Sequence, residues 1–198
     1  MRFFAAALLI ACLAAAPREY AVRWQPQRFA DCNAAYLYAA DHPTVGRYTY
    51  RLSAQFVHTT IARAPGLGYR GTAHIRYALV PRDSAMELPL WSWPNVTGEQ
   101  RKRLRAFVWA LTNHELGHKE IAERALRDRG STLTVVGPSA EAVKTTLQTA
   151  LSNQLHAMHV QLLQTENLYD RVTDHGVRQS EGPLYGFRGG ADVVFSCR

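Results

Sequence analysis

His114, Glu115 and His118 spell H-E-x-x-H. Two histidines four residues apart lie one helical turn apart, so both imidazoles can close on a single metal ion. The glutamate beside the first is then placed to take a proton from zinc-bound water, the opening step of metal-assisted hydrolysis. The chemistry expected of the triplet is hydrolytic, with Zn2+ as cofactor and Glu115 as general base.

That spacing counts only on a helix, and the surrounding residues predict one. Positions 99–129 hold no proline and one glycine, Gly117. Thr97 and Gln100 form a capping-box pattern at the start, and Gly130 is a C-terminal stop. Leu104, Phe107, Leu111, His114, His118, Ile121 and Ala125 recur at spacings of three and four, which draws one inward stripe. Both histidines fall on that apolar face, where an unpaired imidazole is costly. Two core histidines bonded to backbone or to each other would also satisfy the pattern; the adjoining glutamate favours the metal. Gly117 costs about 1 kcal/mol relative to alanine and leaves room beside the second ligand.

A catalytic zinc takes three protein ligands and keeps one position open. The third is not further along the same helix, because Ile121 and Arg124 stand where glycine and histidine would be needed. Glu141 and Glu166 are acids on the following segment, the former at a helix start where dipole compensation explains it. Tyr169-Asp170-Arg171-Val172-Thr173-Asp174-His175-Gly176 offers a phenol, an acid, a hydroxyl and a histidine where a helix ends. His175 there fits a ligand, and equally a histidine complementing the helix dipole with Gly176 as the stop. His42, His58, His74, His156 and His159 are expected to be structural or surface residues.

Around these motifs the N-terminal half reads as strands. Alternation runs through 20–24, 48–52 and 75–79, with a glycine-proline loop at 64–68 and a short helix at 31–40. Residues 87–91, with Pro89, predict an edge strand where a peptide substrate could add by backbone pairing. Thr132 to Val136 is a further brief strand. A second long helix runs from Pro138-Ser139 to about Tyr169, and Val193 to Phe195 forms a last strand. Strands followed by packed helices give an α+β class: an N-terminal antiparallel sheet on two long C-terminal helices.

Residues 1–16, with Arg2, an apolar run from Phe3 to Leu13 and small alanines, predict a secretory signal peptide ahead of one domain at 17–198. Leu9-Ile10-Ala11-Cys12 resembles a lipobox, which would instead leave a lipid anchor at Cys12. Cys32 and Cys197 then remain, a natural disulfide pair in an oxidising compartment. The formal net charge is +7, densest at Arg101-Lys102-Arg103 with Arg105. Without stacking aromatics or a known module this excludes a nucleic-acid binder and leaves a weak attraction to anionic envelope surfaces.

The chain resembles a bacterial family, domain of unknown function 922, described as predicted secreted Zn-dependent proteases. The resemblance rests on Tyr20-Ala21-Val22, Leu88-Pro89-Leu90-Trp91, Trp109, His114-Glu115-Leu116-Gly117-His118, and the Tyr169-Asp170 to His175-Gly176 element. The chain departs from the pattern in lacking a central cysteine. The resemblance implies a zincin-like fold in which the last element completes the site, with His175 as third ligand and Asp170 as the alternative. The resulting expectation is a secreted or periplasmic, monomeric zinc peptidase acting on peptide or protein substrates. His114, His118 and His175 hold the metal, Glu115 is the base, and Tyr169 donates to the oxyanion. Asp170 fixes an imidazole tautomer. The alternatives are a non-catalytic zinc-containing envelope protein and an amidase of cell-wall peptides.

Overall fold

A computed structural model describes residues 20–42, 44–66, 68–127 and 132–197. The expected leader, the Cys12 position and Gly130 lie outside the described residues. Short alternating segments and two long amphipathic ones give a mixed α/β architecture of two three-stranded sheets and three α-helices among the described residues. In chain order these are β1 (Ala21–Arg28), α1 (Cys32–Asp41), β2 (Arg47–Thr49), β3 (Leu52–Ala64), β4 (Gly68–Leu79), β5 (Ala85–Ser92), α2 (Gly98–Arg127), β6 (Thr132–Gly137) and α3 (Ala140–Thr173).

The expected single antiparallel sheet is instead two. One has the order β1-β5-β2, with β1 parallel to β5 and β2 antiparallel to it. The other, β3-β4-β6, is antiparallel throughout. Alternation reports which face is buried but not strand direction, and the excursion through α1 and the β3–β4 hairpin brings β5 back alongside β1. The run with Pro89 is therefore the middle strand of its sheet, not an edge. Pro89 is accommodated because β2 pairs only as far as Glu87, so no ladder bond to that strand is lost. The edge is β2. The expected strand at Val193–Phe195 is irregular chain: Val193 donates a single backbone bond to the Gly176 carbonyl (2.8 Å) rather than joining a ladder.

Local signals set the helices. Asp31 caps α1 by accepting from the Ala34 N–H at 2.8 Å. Thr97 and Gln100 form a reciprocal capping box ahead of α2, at 3.2 and 3.1 Å. Ser139 caps α3 at 3.1 Å.

Each sheet receives one of the two long helices. The start of α2 packs on the first sheet through an aromatic core in which Trp91 stacks on Phe107 (5.3 Å, 25°) and Phe195 meets both rings. The start of α3 packs on the second sheet through Val143 and Leu147 against Ala73. The two helices meet further along, where Ile121 and Ala122 face Met158, Leu162 and Tyr169. The middle of α2 and the end of α3 are thus held against each other, with β2 alongside.

Cys32 and Cys197 form a disulfide with Cα atoms 5.8 Å apart, closing a separation of 165 residues. Such a bond is compatible with an extracytoplasmic location. A loop this long gives roughly 5 kcal/mol in the chain-entropy view. The double variant Cys32→Ala, Cys197→Ala should lose most of that, read as a lower denaturant midpoint with a steeper slope, because the unfolded chain without the crosslink exposes more surface; an unchanged midpoint would show that the bond stabilises nothing. Among the described residues, no helix is long and apolar enough to cross a membrane.

Candidate metal centre

The stripe of α2 carries His114 and Glu115 into full burial, with His118 a turn later at the rim. One turn of α3, ending at Thr173, brings Asp170 opposite them. Nε2 of His114 and Nε2 of His118 lie 3.3 and 3.0 Å from Asp170 Oδ1. Neither approach has hydrogen-bond geometry, and this oxygen is buried with no hydrogen bond at all. One ligand atom from each of the three residues falls within 4.8 Å of the others. Two imidazole nitrogens and a carboxylate oxygen are donors that suit zinc. A buried, orphaned carboxylate oxygen between two nitrogens is costly on its own and is satisfied if a cation sits between them.

Burial alone would raise the Asp170 carboxyl, but the imidazoles of His114 and His118 outweigh it and hold it below the ordinary carboxylate range. Burial alone would lower His118; Asp170 outweighs that and raises it. Glu115 is raised, chiefly by burial, with the two histidines and the Tyr48 backbone N–H pulling the other way.

The raised His118 value has a consequence for metal-free protein. A raised imidazole contributes stability in full below its unfolded pKa of about 6.5, and the contribution is lost as pH climbs through the higher folded value. Chelator-treated protein should therefore melt at a lower temperature at pH 9 than at pH 6. A flat profile in thermal unfolding would contradict the pairing.

His114 is oriented from behind. Its Nδ1 lies 2.9 Å from Gln179 Oε1. Gln179 is fully buried and donates through its own Nε2 to the Arg188 carbonyl. Its oxygen thus accepts from His114 Nδ1–H, which leaves the Nε2 lone pair facing the site. Sequence reasoning missed Gln179: between Arg178 and Ser180 it reads as a solvated loop residue, and no spacing ties it to the helix.

Tyr169 is corrected. Its ring stacks on His114 (4.8 Å, 13°) and meets His118 edge-on (5.1 Å, 80°). It is wholly buried, and its hydroxyl lies 3.0 Å from the His114 carbonyl and 3.1 Å from Gln179 Oε1. Held there, it is not available to an oxyanion; it is the floor on which the histidines rest. The room left by Gly117 is filled by this ring, since a Cβ at Gly117 would collide with the Tyr169 hydroxyl.

His175 stands apart from the three convergent groups. Asp174, His175 and Gly176 all take positive φ (50°, 51° and 91°), which turns the chain sharply off α3. His175 Nδ1 lies 4.0 Å from Asp170 Oδ2, and its side chain is 38% exposed. It forms the wall between the cleft over the site and a neighbouring apolar groove. Gly176 is where the turn touches the centre: a Cβ there would lie 2.6 Å from Val193 Cγ2 and 3.1 Å from His114 Cγ.

The cleft holds about 320 Å³ and is lined by His114, Glu115, His118, Asp170 and His175 on one side and by Gly46, Arg47 and Tyr48 on the other. Glu166 also faces it, its carboxylate accepting from the Tyr50 hydroxyl at 2.7 Å. Burial raises the Glu166 carboxyl. Glu166 is not among the convergent ligands, nor is Glu141. His42, His58, His74, His156 and His159 are all exposed, and none of them lines the cleft.

A family profile described as "Bacterial protein of unknown function (DUF922)" matches residues 47–176, about two thirds of the chain. The matched span runs from β2 through Gly176, and leaves out Gln179 and both bonded cysteines. No curated protein and no solved structure matches.

Proposed function

The chain belongs to the DUF922 family, whose description assigns no activity, and from that premise we propose that it is an exported zinc-dependent peptide hydrolase. The observation that carries the reading is the buried Asp170 oxygen, left without a hydrogen bond between the Nε2 atoms of His114 and His118. These three residues would hold the cation. Bound there, it would supply Lewis-acid polarisation of a carbonyl and a lowered pKa for water.

The chain's own residues supply the rest. Glu115 takes the proton of the attacking water. Its burial raises its proton affinity, as a base working near neutral pH requires. Gln179 keeps the His114 lone pair turned toward the site. His175, on the cleft wall, is the group left to hydrogen-bond the substrate carbonyl. A peptide is favoured over other substrates because β2 is an edge strand, and its residues Arg47 and Tyr48 border the cleft. An extended substrate backbone can pair along that open edge.

Purified protein is expected to carry one zinc and to cleave members of a random peptide library, with cleavage abolished by a chelator and restored by added zinc. Zinc held at one equivalent with no cleavage of any peptide would leave a non-catalytic metal protein. Cleavage confined to cell-wall peptides would make it an amidase of that substrate.

A further inference from the structure

The dense run of cations at the start of α2 has no part in the centre. On a helix of 100° per residue, Arg101, Lys102, Arg105 and Trp109 fall within one arc of about 100°. All four are exposed. The fourth cation of the run, Arg103, turns away to Glu99 and Ser196. Among the described residues, Arg101, Lys102 and Arg105 have no acidic partner; Arg101 donates only to the Val96 carbonyl, at 3.4 Å.

Beside this arc lies an apolar groove of about 320 Å³ between α2 and the β1–β5 pair. Three large apolar side chains stand out along it: Trp24 is 50% exposed, Leu90 53% and Trp109 63%. Arg105 lines the same groove. Tryptophans at the edge of an apolar strip, flanked by unpaired cations, match the chemistry of a bilayer interface, where indole rings sit at headgroup depth and cations meet lipid phosphates.

We propose that this face docks the protein on the surface of an anionic phospholipid bilayer. The occupant is chosen by charge: three unpaired cations in one arc, on a chain of net charge +7, call for an anionic partner. The apolar strip beside them calls for one that also takes up indole rings. Trp109 and His118 are nine residues apart, two and a half helical turns, so they project from opposite sides of α2. Docking would leave the cleft facing away from the lipid. The inference stands independently of the metal reading.

The test is co-sedimentation of the protein with vesicles of phosphatidylglycerol and phosphatidylcholine against vesicles of phosphatidylcholine alone. Parent and variants carry the same residues 1–19, so any binding by that segment is common to all. Expected are salt-sensitive binding to the anionic vesicles and a blue shift of tryptophan emission. The variant Arg101→Gln, Lys102→Gln, Arg105→Gln should partition about 100-fold more weakly, given the usual contribution of each cation at such a surface. Trp24→Ser with Trp109→Ser should bind more weakly and lose the shift. An unchanged melting temperature and circular dichroism spectrum in both variants would show that the fold survives. Equal binding by parent and charge variant overturns the proposal, as does equal binding to both vesicle types. So does a parent that dimerises with its tryptophans shielded from quencher before any lipid is added, since the face would then join two copies.

Discussion

Glu115→Gln is expected to leave bound zinc in place and to lower peptide turnover by roughly 10²–10⁴-fold. The substitution keeps the size and the acceptor oxygen that receives the Tyr48 N–H, so the fold has no reason to change. What it removes is the proton acceptor. Glu115 is not one of the three convergent ligand residues, so elemental analysis should show the same stoichiometry as the parent. Full activity in this variant would mean that another group takes the proton, and Glu166, also in the cleft, would be the next to test.

Asp170→Ala should lower zinc affinity by more than about 100-fold, beyond the loss typical of a partner that merely orients a ligand. Asp170→Asn should lose affinity as well, because an amide keeps the size but not the charge that the two imidazoles now stabilise. His175→Ala, by contrast, should keep its zinc and lose turnover by roughly 10²-fold if its hydrogen bond to substrate is lost. Competition against a chelating dye measures the first two, and peptide cleavage the third. Zinc lost from His175→Ala but retained in Asp170→Ala would exchange the roles, making the histidine the third ligand.

Those two residues mark how far the sequence could be read. The α2 stripe, its capping box and the placement of His114 and His118 were legible, because helix periodicity and capping are local properties. So was the convergence of the Tyr169–Gly176 element on the helix, and the pairing of Cys32 with Cys197. What spacing could not decide was which donor of that element points inward. Asp170 lies on the last regular turns of α3 and inherits its direction from the helix, whereas His175 is the middle of three consecutive positive-φ residues, a turn that swings it to the wall. Tyr169 was misjudged for a related reason: a phenol beside a ligand suggests catalysis, but packing under Gly117 gave it to the core. Strand direction and the identity of the sheet edge depended on long-range pairing, which alternation does not encode.

The disulfide carries an implication for timing. Every residue of the centre lies between Cys32 and Cys197, and Val193, just before the second cysteine, packs where Gly176 meets His114. A ribosome delivers these pieces in order, so the ring cannot be sealed until the stretch that buttresses His114 has followed all the ligands out. Where thiols are oxidised, that closure ties the segment carrying Val193 to the first residue of α1.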